Sequence, residues 1–226
     1  MAKRYLVMDM DGTLYLKRDV HAVTAMMAER LYAYTDRAGI PRRGVSALVN
    51  RHIRELRIPF LIYLLSKKYG LDTTDFVEYA FNIHPRAFGI KRDARLVSLL
   101  TKLGRTNEII LFTNSPLIWA SRVVKALGLD KVIPGRNMIC FENLDCGRSS
   151  KPSEKAYMIL LKRTGNDPEA LLLLEDNYKN ARVARGLGIR TIHIHNRPDR
   201  KAGRKDIYAV LEELLEVGRD SFRGND

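Results

Sequence analysis

The sequence predicts an α/β fold: a parallel sheet with helices on both faces, carrying a helical insertion after its first strand. Three observations lead there. From residue 92 onward, apolar runs of strand length alternate with helical stretches, which is the pattern of a parallel sheet wrapped by crossover helices. Residues 16–88, by contrast, keep helical periodicity with no strand among them. The chain opens on a short apolar run, Tyr5-Leu6-Val7-Met8, that delivers two carboxylates, Asp9 and Asp11, to a turn at Gly12-Thr13.

The first run is brief, branched and aromatic, as suits an interior strand. Residues at i and i+2 of a strand share a face, so Asp9 and Asp11 crowd two negative charges unless the chain bends or a cation lies between them. Helical spacing follows over 20–34, with Val20, Val23, Met27, Leu31 and Tyr34 on one side, and Gly39-Ile40-Pro41 stops it. Further helices are expected over 45–56, over 60–69 between Pro59 and Gly70, and over 75–81 with Thr73 or Thr74 as cap. The alternating half then gives helices over 94–103, 116–127, 152–163, 178–187 and 207–217. Strands are expected over 108–112, 170–174 and 190–194, and weaker candidates over 132–133 and 138–141.

The chain has 226 residues, 46% apolar and 29% charged, enough for one sizeable core with an inserted subdomain. Its longest apolar run, 58–65, falls far short of the roughly 20 residues of a membrane-spanning helix. No membrane segment or secretory signal is expected, and a cytoplasmic location is the default reading. Cys140 and Cys146 are too few for a disulfide framework and read as free thiols. The net charge of +13 is the outlier, fitting an anionic substrate, a nucleic-acid partner or solubility alone. Its clusters, at Arg42-Arg43, 51–54, Lys67-Lys68 and 197–205, come with no helix-turn-helix, zinc-finger or RNP pattern, so a nucleic-acid partner is not expected. Nothing in the sequence sets an oligomeric state.

Ligands of such a sheet gather at the carboxyl ends of its strands. There the sequence places Asp9 and Asp11, then Thr113, Asn114 and Ser115, then Glu175, Asp176 and Asn177. Ser115-Pro116 reads as a helix cap followed by a first-turn proline, and Lys151-Pro152 as a second helix start bearing a cation. Carboxylates, a hydroxyl, a lysine and an anion-friendly helix start together describe metal-assisted phosphoryl transfer. His193 and His195, alternating with Ile192 and Ile194, lack ligand spacing and read as structural.

Four segments in order, Asp9-Met10-Asp11-Gly12-Thr13-Leu14-Tyr15, Phe112-Thr113-Asn114-Ser115, Lys151-Pro152 and Leu174-Glu175-Asp176-Asn177 with Asn180 beyond, resemble the haloacid dehalogenase (HAD) superfamily. Within it the chain is similar to the pyrimidine 5′-nucleotidase-like phosphatases. The resemblance implies a Rossmann-like core over 1–15 and 89–226, with the Asp9 strand central, and a helical type-1 cap over 16–88. It implies Asp9 as nucleophile forming an aspartyl-phosphate, and Asp11 as acid and then base. Thr113 and Lys151 would contact the phosphoryl group of a small phosphorylated substrate, while Asn114 reads either as a substrate contact or as a cap or turn residue. Mg2+ would be held by Asp9, Asp11 through its backbone carbonyl and Asp176, with Glu175 binding it directly or through water. The second aspartate, which the dehalogenase branch typically lacks, favours a phosphatase, with a nucleoside 5′-monophosphate as the expected substrate. A sugar phosphomutase, or a nucleic-acid-binding protein on a retired hydrolase fold, are the alternatives. Within the insertion, Arg54, Tyr63 and Arg86 are positions at which substitution would test whether the cap sets substrate choice; Tyr15, Phe60, Tyr63, Tyr79 and Phe88 are aromatic candidates for core or base contact.

Overall fold

The structure, a computed structural model, describes residues 3–53, 58–195 and 206–217. In chain order its elements are β1 (Tyr5–Met8), α1 (Lys17–Arg37), α2 (Arg42–Ile53), α3 (Ile58–Tyr69), α4 (Thr73–Phe81), α5 (Ala94–Leu103), β2 (Glu108–Phe112), α6 (Leu117–Leu127), β3 (Met138–Ile139), α7 (Glu154–Arg163), β4 (Leu171–Glu175), α8 (Tyr178–Gly186), β5 (Arg190–His193) and α9 (Ile207–Val217). The strands form one parallel sheet in the order β3-β2-β1-β4-β5. The strand carrying Asp9 is therefore central, as the family resemblance implies, with β2 and β4 on either side.

Side chains alternate across the sheet, and the alternation divides the core in two. Leu6, Met8, Ile109, Leu111, Leu172 and Leu174 join the apolar residues of α5, α6 and α9 on one face. Tyr5, Val7, Ile110, Phe112, Leu171 and Leu173 join those of α7 and α8 on the other. Burial on both faces explains why these strands read as unbroken apolar runs. Helices α1 to α4 follow the helical spacing and feed Met27, Leu31, Val49, Leu65 and Phe76 into the same cluster as the α5 and α6 face.

Register fixes the site. Met8 lies level with Leu111 and with Leu174, so the next residue of each strand, Asp9, Phe112 and Glu175, emerges at one edge.

Several boundaries differ from the sequence reading, each for a local reason. Residues 132–133 form a turn, and only Met138–Ile139 of the 138–141 run pairs with β2. Helix α6 begins at Leu117 with Pro116 in the capping position, because the Ser115 hydroxyl is engaged elsewhere. Pro152 opens no helix; α7 begins at Glu154 after Ser153. Helix α4 is capped by Asp72, whose Oδ1 accepts from the Thr74 and Asp75 amides at 2.7 and 3.0 Å, and not by either threonine. A carboxylate also suits the positive end of the helix better than a hydroxyl does. Glu175 is the last residue of β4 and not the first residue beyond it. Arg54, Leu56 and the basic 197–205 segment lie outside the described residues, as do the side chains of 51–53.

Candidate active site

Lys151 is the hub of the strand-end edge. It sits in the loop before α7, and its ammonium donates to Asp9 Oδ1 at 2.7 Å, to the Phe112 carbonyl at 2.8 Å and to Glu175 Oε2 at 2.8 Å. Three donors find three acceptors, which satisfies the group although its side chain is only 1% exposed. Burial works against its charge, but Asp9 and Glu175 outweigh burial and hold the ammonium above the usual lysine range. Asn114 fixes the lysine's backbone: its Oδ1 accepts from Lys151 N at 2.8 Å and its Nδ2 donates to Lys151 O at 3.0 Å.

Asp9 and Asp11 have unlike surroundings. Asp9 is buried and pairs with the lysine, while its second oxygen accepts from Thr13 Oγ1 at 3.2 Å. Among the described residues the hydrogen-bond partners of Asp11 are hydroxyls. Its Oδ2 accepts from Ser115 Oγ at 2.7 Å and Thr113 Oγ1 at 3.4 Å, and its Oδ1 from the Tyr15 hydroxyl. Burial, then the neighbouring Asp9, pushes the Asp11 carboxyl up, and the hydroxyls only partly offset that. The Tyr15 hydroxyl is raised well above its ordinary range by burial and by Asp11, so it stays a donor. Beside it lies the wholly buried indole of Trp119.

Asp9, Glu175 and Asp176 bring carboxylate oxygens within 4.8 Å of one another. Burial and Asp9 push the Glu175 carboxyl up to about 8 against the pull of Lys151. One lysine faces three acids, and the surplus negative charge is what a divalent cation relieves. The backbone leaves room for it: Gly12 has φ +88°, and a Cβ there would stand 2.5 Å from Asp176 Oδ2. Hard carboxylate oxygens are the donor set of Mg2+. The Asp176 loop is steadied from β5, where His193 Nε2 lies 2.8 Å from the Asp176 carbonyl, a structural role as the sequence suggests.

Asp9, Asp11, Asn114, Lys151, Glu175 and Asp176 all line one cleft. Thr113 lies just beneath it, fully buried and against Asp11. The insertion contributes Val20, Val23, Thr24 and Met27 of α1 and Phe81 of α4, with Trp119 of α6 beside them. Of the positions named for testing the cap, Tyr63 packs on Phe60 at 6.0 Å between ring centroids and Arg86 lies in a different groove; neither reaches the cleft. The aromatic residues that do line it, Phe81 and Trp119, were not singled out by sequence. Nor was the role of Ser115, although its position two residues beyond Thr113 is the signal for a shared direction at a strand end.

A family model for haloacid dehalogenase-like hydrolases matches residues 3–188. Solved structures share the fold at low identity. YfnB from Bacillus subtilis, described as a HAD-hydrolase and bound to magnesium, is 16% identical over 96% of this chain and 99% of its own, with a TM-score of 0.54. A 2-haloacid dehalogenase from Pseudomonas syringae pv. Tomato DC3000 is 17% identical over 96% and 99%, TM-score 0.55. A protein described as a β-phosphoglucomutase from Thermotoga maritima is 16% identical over 95% and 100%, TM-score 0.58.

Proposed function

Because this chain belongs to the haloacid dehalogenase-like hydrolase family, we propose that it is a Mg2+-dependent phosphatase of small phosphomonoesters, acting through an aspartyl-phosphate on Asp9. The observation that carries this reading is the contrast between the two aspartates. Asp9 is oriented by Lys151 at 2.7 Å, whereas Asp11, two residues on, faces hydroxyls and the open cleft. That contrast supports Asp9 as the nucleophile and Asp11 as the proton carrier. Displacing halide from carbon requires no proton donor at the leaving group; expelling an alkoxide from phosphorus does.

An Asp9 oxygen attacks phosphorus as the bond to the leaving oxygen breaks, and Asp11 delivers a proton to that oxygen. Asp11 then takes a proton from the water that attacks the phosphoryl-enzyme, releasing phosphate and restoring Asp9. Lys151 offsets charge on Asp9 and on the phosphoryl oxygens, and Thr113 and Ser115 keep Asp11 aimed. Asn114 acts through Lys151, whose backbone it holds. Asp9, Asp176, Glu175 and the Asp11 carbonyl are the groups that would hold Mg2+. Once bound, Mg2+ would neutralise charge on the transferring phosphoryl group. The magnesium in the B. subtilis YfnB structure supports this choice of metal.

The helical segment 16–88 serves as the cap, and its α1 and α4 supply one wall of the cleft. The enclosed space is about 120 Å3, below the roughly 300–1,000 Å3 of sites that hold drug-sized ligands. Larger substrates, nucleoside 5′-monophosphates first among them, therefore require the cap to swing away. A cytoplasmic location belongs to the same reading; among the described residues no helix is long and apolar enough to cross a membrane.

A panel of aryl, alkyl, sugar and nucleoside monophosphates, together with 2-haloacids, tests the proposal. Phosphate release that needs Mg2+ and stops with a chelator is expected. Halide release without phosphate release, or full turnover in chelator, overturns it.

A further inference from the structure

A second concavity lies away from the cleft, in the seam between the end of α4, the short turn at Pro85–Phe88 and α6. It encloses about 660 Å3, and its charged lining is wholly cationic: Arg86, Arg92, Arg122 and Lys125, with no Asp or Glu among the lining residues. The side chains reach it from separate elements. Arg92 lies along Gly128, which has φ +82° and where a Cβ would stand 2.7 Å from Arg92 Nη1, so glycine leaves it a berth. Arg122 donates to the carbonyls of Phe81 and Ile83 at 3.3 and 3.1 Å and to Asn82 Oδ1 at 2.8 Å. Those neutral acceptors fix the guanidinium without cancelling its charge. Arg86, Arg92 and Lys125 make no ion pair among the described residues.

We propose that this groove binds a multiply charged phosphate chain, either free or as part of a nucleoside triphosphate. Four uncompensated cations exceed what a single phosphomonoester, at about −2, would neutralise, and guanidinium forks match phosphate oxygens. No Phe, Tyr or Trp lines the groove to stack the bases of a single strand, which favours a compact polyphosphate over nucleic acid. The site gives part of the +13 charge a ligand that the catalytic cleft does not account for.

Calorimetric titration of the full chain in Mg2+ and about 0.1 M salt, with tripolyphosphate and with ATP, tests the proposal. Arg86→Gln/Lys125→Gln, at exposed positions, should weaken tripolyphosphate at least about tenfold while leaving turnover of an aryl phosphate unchanged. Should that pair disturb folding by circular dichroism, Arg92→Gln replaces it. ATP matching tripolyphosphate would show that the chain alone is read, and ATP binding tighter would show added nucleoside contacts; with the loss in the variant, either supports the site. Three results would overturn it: no measurable binding, equal affinity in the variant, or an oligonucleotide that outcompetes tripolyphosphate for the same side chains.

Discussion

At the scale of single residues, the proposed chemistry depends on how Asp11 is held. Its two oxygens take hydroxyl donors from opposite sides, Ser115 and Tyr15, and removing one leaves the carboxyl free to turn from the leaving group. Tyr15→Phe is therefore expected to slow alkyl phosphates by about tenfold or more while barely affecting an aryl phosphate, whose leaving oxygen scarcely needs the proton. Equal losses on both substrates would assign Tyr15 to packing alone. The two aspartates were legible in sequence because their spacing on one strand end is local information. The Ser115 contact joins residues 104 apart in the chain, and only the parallel register of β1 and β2 reveals it. Without that register Ser115 reads as a helix cap.

At the scale of elements, the strands were legible because both faces are apolar, and the helices because their periodicity is long. What misled was proline. Pro116 and Pro152 both suggest helix starts, yet the chain uses the residues just before them, Ser115 and Lys151, as side chains of the site, and α6 and α7 begin later. The Lys151 loop is held instead by the two Asn114 hydrogen bonds. Asn114→Ala strands a partly buried amide and carbonyl, so urea denaturation should show a loss of about 2 kcal/mol. Turnover should fall with it as Lys151 loses its position. Unchanged stability and activity would mean the loop is held by its other contacts. The insertion's helices were legible as helices, but its cleft-lining residues were not: Phe81 and Met27 look like any other apolar position on an amphipathic helix until the fold places them along the cleft that Asp9 also lines.

At the scale of the whole molecule, the strand-end edge stores excess negative charge that a metal ion would complete. Folding holds Glu175 near 8, above the ordinary glutamate range of about 4.3 in an unfolded chain. The folded, metal-free protein thus keeps a proton that the unfolded chain has lost. That contribution to stability is present at low pH and is lost as pH rises through about 8. A bound cation replaces the proton. Mg2+ should accordingly raise the Tm more at about pH 8.5 than at about pH 6, and equal shifts would remove Glu175 from the metal's surroundings. The central claim, that Asp9 carries the phosphoryl group, is tested most directly by acid-quenching the protein during turnover of a labelled phosphomonoester and mapping the label. The label should reside on Asp9, be absent from Asp9→Asn, and persist longer in Asp11→Asn, where the base for the attacking water is missing. Label retained by Asp9→Asn, or mapped to another residue, would contradict the account.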